Sequence, residues 1–206
     1  EGNGTGYGGD GGDILIDGQL NAPTLTMQTN SNTQAVHIKS GPSGTISGGG
    51  SLSLFNAGLD GGTIDIKTSN YNVTNVNVGD NSPTLPDIGV NIEQTSGNLV
   101  IAAVPASRGQ ISLKTSGAGS SIQVDAGINT AGALVLDAPV LNVNSPLSTT
   151  AGNIRLTGDS VVVGSNVLAG TVGVGNIEIE SRTQNVQLNS ASRIDVDTGT
   201  ISVTSA

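Results

Sequence analysis

Cysteine and tryptophan are absent from this 206-residue sequence, and one Phe and two Tyr leave aromatics at 1% of the chain. Without Cys there is neither a disulfide framework nor a thiolate metal site. Aromatic side chains supply much of the area in a compact core, so this interior has to be built from Ile, Leu, Val and Ala. Charge is scarce as well: Asp, Glu, Lys and Arg make up 11%, far below the quarter usual in soluble domains. The surface therefore falls to Ser, Thr, Asn, Gln and Gly. The net charge of −9 sets aside nucleic acid and anionic membrane surfaces as partners. No apolar run approaches the roughly 18 residues of a spanning helix, so no membrane insertion is expected. The chain opens EGNGTGYGGDGG, with neither an initiator Met nor a basic-then-apolar leader. That start is expected of a mature product or of a piece of something longer.

What is abundant is glycine, 31 residues of it, and a Gly- and Ser-rich chain invites a reading as disorder. The aliphatics argue otherwise, because they are patterned. In GNIEIESRTQNVQLNSASRIDVDTGTISV they come in pairs two residues apart: Ile177 and Ile179, Val186 and Leu188, Ile194 and Val196, Ile201 and Val203. Period-two alternation over four or five positions is the mark of a strand, whereas helices show spacings of three and four. Many pairs follow a glycine, as in GDILI, GTIDI, GNLVI, GQISL, GALVL, GNIRL, GNIEI and GTISV. From Gly109 these openings recur at Gly132, Gly152, Gly175 and Gly199, intervals of 23, 20, 23 and 24 residues. A period in the twenties calls for a repeat architecture.

Each period fills in the same way. Ile111/Leu113, Ile122/Val124 and Ile128 follow Gly109; Leu134/Leu136, Leu141/Val143 and Leu147 follow Gly132; Ile154/Leu156, Val161/Val163 and Val167 follow Gly152. Three short strands separated by Gly-, Asn- and Ser-rich corners describe one coil of an all-β, right-handed parallel β-helix (a β-solenoid). Each strand points two aliphatics inward and leaves its middle residue in water. β-branched side chains suit such a stacked column, and Gly and Asn suit its corners. The sequence predicts about eight to nine coils in a single domain over 12–206, after a Gly-rich lead-in at 1–11. Coils over 12–90 are looser, with starts read near Gly12, Gly44, Gly62 and Gly89, and those over 91–206 are regular.

The openings GGDILI, AGNIRL and VGNIEI, with short x-L-x-V-N strands between them, resemble the β-helical shafts of filamentous haemagglutinin-like exoproteins. Autotransporter passengers look similar. The resemblance runs from Gly12 onward and is one of pattern and composition. It implies an extracellular bacterial cell-surface protein with a role in adhesion, biofilm or surface fibres. It implies partners at host-cell or matrix surfaces. The pattern stops at GTISVTSA without a recognisable cap, and an unprotected strand edge adds more strand, so contact with flanking repeats or neighbouring copies through the open solenoid ends is expected.

Parallel β-helices also carry polysaccharide-active enzymes of the pectate-lyase kind, which converge Asp, Lys and Arg on outward positions of adjacent coils. Here the outward residues of the first strand read Leu15, Asp65, Asn91, Ser112, Val135, Arg155, Glu178 and Ser202, with no acidic cluster. Arg155 and Glu178 are placed to pair across neighbouring coils. A single His, His37, sits between Val36 and Ile38 and should face water, so a nucleophilic triad has no support. No enzyme activity is expected. GGDGGDIL, from Gly8, matches a calcium-binding nonapeptide letter for letter, making Asp10 and Asp13 the candidate Ca²⁺ ligands. One copy builds half a site, and a Gly-rich lead-in to the first coil explains the same letters. TLTM at 24–27 carries a Thr-x-Thr of the ice-binding kind, but SLSL and VTNV follow where it should repeat. NGT at Asn3 and NVT at Asn72 are glycosylation sequons only in a eukaryotic chain.

Overall fold

The computed structural model describes residues 89–95, 97–102 and 109–206, and before them eight strands between Ile14 and Asn77. Every strand pairing is parallel, and the described residues contain no helix. The chain is an all-β parallel β-solenoid, as the sequence pattern requires.

Three ladders carry the core. On the first face Val90, Ile111, Leu134, Ile154, Ile177 and Ile201 stack in register, and Ile92, Leu113, Leu136, Leu156, Ile179 and Val203 run beside them. On the second, Leu99, Ile122, Leu141, Val161 and Val186 stack, next to Ile101, Val124, Val143, Val163 and Leu188. On the third, Ile128, Leu147, Val167 and Ile194 stack. From Val90 to Val167 these inward residues are all buried, while the residues between them are partly or wholly exposed. One stiff aliphatic rests on the next at the strand spacing of about 4.8 Å, so each coil buries its ladder residues only because another coil lies on either side.

The glycine openings have a geometric cause. A Cβ on Gly132 would lie 2.8 Å from the carbonyl oxygen of Gly109, and one on Gly152 would strike the carbonyl of Gly132. At this corner successive coils meet backbone to backbone, and no side chain fits between them.

Two expectations are corrected. The solenoid shows about five turns, not eight to nine. From Val90 to Ile201 the first-face ladder runs in unbroken register. Upstream the pairings continue but lose their regularity: the strand Gly62–Thr68 pairs with both Val36–Ser40 and Thr45–Ser47, and the pairing of Gly50–Asn56 with Tyr71–Asn77 shifts register between Leu52 and Ser53. The phase upstream also differs from the sequence reading. Ile14 aligns with Ile38 and Ile38 with Ile64, so Val36–Ser40 opens a coil instead of closing one. Ile46, read as the first strand of a coil beginning at Gly44, aligns with Leu20 on a later face. The opening glycine is missing where it would have shown this: Val36 stands opposite Gly62.

Strand number also varies along the coil. In two coils the first and second faces merge into single ten-residue strands, Leu134–Val143 and Ile154–Val163. At their corners Asp137 pairs with Thr157 and Ala138 with Gly158, and after a skip at Pro139 the pairing resumes with Val140 and Ser160.

Candidate functional site

Function on a solenoid lies on outward residues and corners, since the ladders are committed to the core. The middle positions of the first strand align as Leu15, Lys39, Asp65, Asn91, Ser112, Val135, Arg155, Glu178 and Ser202. This is the column read from the sequence, with Lys39 added by the corrected phase. Arg155 and Glu178 do meet, at 3.4 Å, and Glu180 lies 3.6 Å from the same guanidinium. Both contacts are half-exposed and long, so they stabilise by about 0–1 kcal/mol.

The corner after the first face differs from coil to coil. Ser181 aligns with Gly158 and Val186 with Val161, yet residues 182–185 lie between the first pair and the second where the coil below has only 159 and 160. The extra residues make a ledge, tied down at its base. The Arg182 amide donates to the Gly158 carbonyl at 2.7 Å. Its Nε donates to Asp159 Oδ1 and its Nη1 to Asp137 Oδ1, each at 2.9 Å, so one guanidinium links three successive coils. Burial pulls that guanidinium's pKa down, but the hydrogen bonds to Asp159 and Asp137 outweigh it and hold the value above normal. The Ser181 and Thr183 hydroxyls both donate to the Asp159 carbonyl, at 2.8 and 3.1 Å, and the Gln184 amide donates to Ser181 Oγ at 3.3 Å. Beneath the ledge, against the second face, lies a concavity of about 460 Å³. Ser160, Val162, Thr183, Gln184, Asn185, Gln187 and Ala206 line it.

Other corners use amides to join coils. Asn153 Oδ1 accepts from the Asn176 backbone amide, and Asn176 Oδ1 accepts from that of Thr200, both at 2.9 Å. At the corner after the second face, Asp125 accepts from Asn144 Nδ2 at 2.9 Å and from Gln123 Nε2 at 2.6 Å. These bonds favour the carboxylate and hold its pKa below the ordinary range, Asn144 contributing most. A third irregularity is Gly170–Val174, where the register to the next coil shifts between Ala169 and Val174 and Val172 stands 79% exposed.

The proposed calcium ligands Asp10 and Asp13 lie outside the described residues, as do the side chain of His37 and the sequon at Asn3. Among the described residues no group of three or more His, Asp or Glu is placed to hold a metal ion. Thr26 is exposed and aligns with Ser53, which aligns with Asn75, so the threonine array does not continue. Sequence reading missed the Arg182 ledge, although a signal was present. The aliphatic pairs of the first and second faces end and begin at 156 and 161 in one coil but at 179 and 186 in the next. No described helix is long and apolar enough to cross a membrane. No protein-family model matches the chain, and neither a curated protein nor a solved structure does.

Proposed function

We propose that this solenoid is a structural rod, right-handed and three-faced, belonging to a bacterial surface adhesin or to a surface filament whose subunits stack end to end. The reading rests on one observation: a continuous aliphatic ladder in which each rung from Val90 to Ile179 is buried by the coils on either side. Ile201 and Val203 are 45% and 47% exposed, although Ile177 and Ile179 directly beneath them are 1% and 0% exposed. A further coil laid on that surface, from a flanking repeat or a neighbouring copy, would bury both. The strand Ile201–Ser205 also presents an edge of the kind that accepts another strand.

Negative-stain microscopy over a concentration series separates the two variants. A filament subunit gives rods that lengthen with concentration, and Ile201→Asp keeps them short; a shaft segment gives particles that stay short or clump irregularly. Release of reducing or unsaturated sugars from polyuronates, with or without Ca²⁺, would overturn the rod and favour a β-helix enzyme.

A further inference from the structure

We propose that the ledge at Arg182–Asn185 and the second face beneath it form a binding site for a neutral, hydroxyl-rich saccharide. The chemistry of the lining narrows the ligand class. Gln184, Asn185 and Gln187 bring three primary amides, and Ser160 and Thr183 bring two hydroxyls, around a concavity of about 460 Å³. That volume falls in the range of small-ligand sites. A primary amide carries an acceptor oxygen and two donor hydrogens, which matches sugar hydroxyls that donate and accept at once; Gln187 already gives one donor to Asn189 Oδ1 at 3.2 Å and keeps the rest. No ionised side chain lines the concavity. The nearby cation, Arg182, is already held by Asp137 and Asp159, so a phosphate or carboxylate would be desolvated with no counter-charge to meet it. An apolar ligand would leave the amides without partners. Val162 and Ala206 supply the aliphatic surface, against which the C–H face of a sugar ring can lie.

The site is also built before any ligand arrives. The base of the ledge carries the hydrogen bonds of Arg182, Ser181, Thr183 and the Gln184 amide. The exposed side chains of Gln184 and Asn185 project from that fixed base. Ordering the loop therefore costs little on binding, which is the advantage of a preorganised site. An extended peptide cannot add to the strand forming the floor, Ser160–Val163, which is already paired with Val140–Val143 on one side and with Val186–Leu188 on the other. A strand-adding ligand could use only the outer edge of Val186–Leu188, not the floor of the concavity. With no aromatic to stack on, affinity per site should be weak, and useful binding would come from repeated engagement along a polymer. This inference does not depend on the rod being a filament or an adhesin.

The test is a titration of the ¹⁵N-labelled protein with cello-, malto-, xylo- and N-acetylglucosamine tetraoses, with tetragalacturonate as the anionic control. The site predicts that at least one neutral sugar shifts amides confined to 160–162 and 183–187, more strongly than the uronate does. Gln184→Ala combined with Asn185→Ala should weaken that binding about tenfold while leaving the thermal midpoint unchanged. Arg155→Ala, on the neighbouring face, should bind as the parent does. The proposal is overturned if no neutral sugar shifts these amides, if the shifts fall elsewhere, or if the double variant binds undiminished.

Discussion

Ile177 and Ile201 are the same residue at the same place in consecutive coils, aligned in parallel register. One is 1% exposed and the other 45%. The same holds on the second face, where Val163 is fully buried beneath Leu188, which is 46% exposed. Nothing in the local sequence separates the members of either pair. The difference lies in whether a coil rests on both sides or on one, so burial in this fold belongs to the stack and not to the strand. A globular core buries a residue by surrounding it from many directions, whereas a solenoid buries it almost wholly through its two neighbours along one axis.

The sharpest way to break that comparison is to truncate both members. Ile177→Ala removes buried methyl groups between fixed rungs and should cost about 2–5 kcal/mol. Ile201→Ala removes half-exposed ones and should cost less than about 1 kcal/mol. Urea titration of the two variants measures both, and equal costs would mean that the final coil is covered in solution. If protein copies stack as proposed, the Ile201→Ala cost should rise with protein concentration towards that of Ile177→Ala.

A second comparison lies between two glycines. Gly152 sits where coils touch through their backbones, and a Cβ there strikes the Gly132 carbonyl, while the nearest atom to a Cβ on Gly127 is a carbonyl oxygen at an ordinary 3.4 Å. Gly152→Ala should destabilise by about 1–3 kcal/mol, as overpacking does. Gly127→Ala should be close to neutral, because it adds a methyl group without a clash. Thermal melts of the two variants decide it, and a neutral Gly152→Ala would show that the coils can part at this corner.

These contrasts mark what the sequence could and could not tell. The aliphatic pairs from Gly89 onward were legible residue by residue, because period-two alternation and a glycine opening both come from constraints acting on every coil. The phase of the upstream coils was not, since Val36 occupies the opening position without the glycine that marks it elsewhere. The merging of strands across Asp137–Pro139 was hidden too: Asp and Pro read as a break, and only the stacking of one extended corner on the next shows that pairing continues. Outward side chains answer to no repeat. Arg155 with Glu178 could be read because both fall in one column. Arg182 with Asp137 and Asp159 could not, because its position depends on two inserted residues that no periodic argument places.

That inserted corner gives a smaller effect. Arg182→Ala removes hydrogen bonds to two carboxylates in two other coils, but its side chain is 38% exposed, so solvent screening limits the loss to about 1 kcal/mol. Arg182→Lys keeps the charge and loses the fork that reaches both partners, and should recover less than half of it. Both differences should shrink in molar salt, where exposed pairs are screened within about 3 Å.

The smallest effect concerns Asp125, and it has a direction fixed by linkage. The amides of Asn144 and Gln123 favour its carboxylate, so its pKa in the folded chain lies below the ordinary 3.8. A depressed carboxylate contributes stability above its unfolded value and loses that contribution as the pH falls through the folded one. The group is fully exposed, so the contribution is slight. Asp125→Asn should therefore melt slightly below the parent at neutral pH, and the gap should close on acidification past the carboxylate range. A gap that widened in acid would mean that the protonated form, not the carboxylate, is what the corner holds, and the amide from the next coil would have to be donating elsewhere.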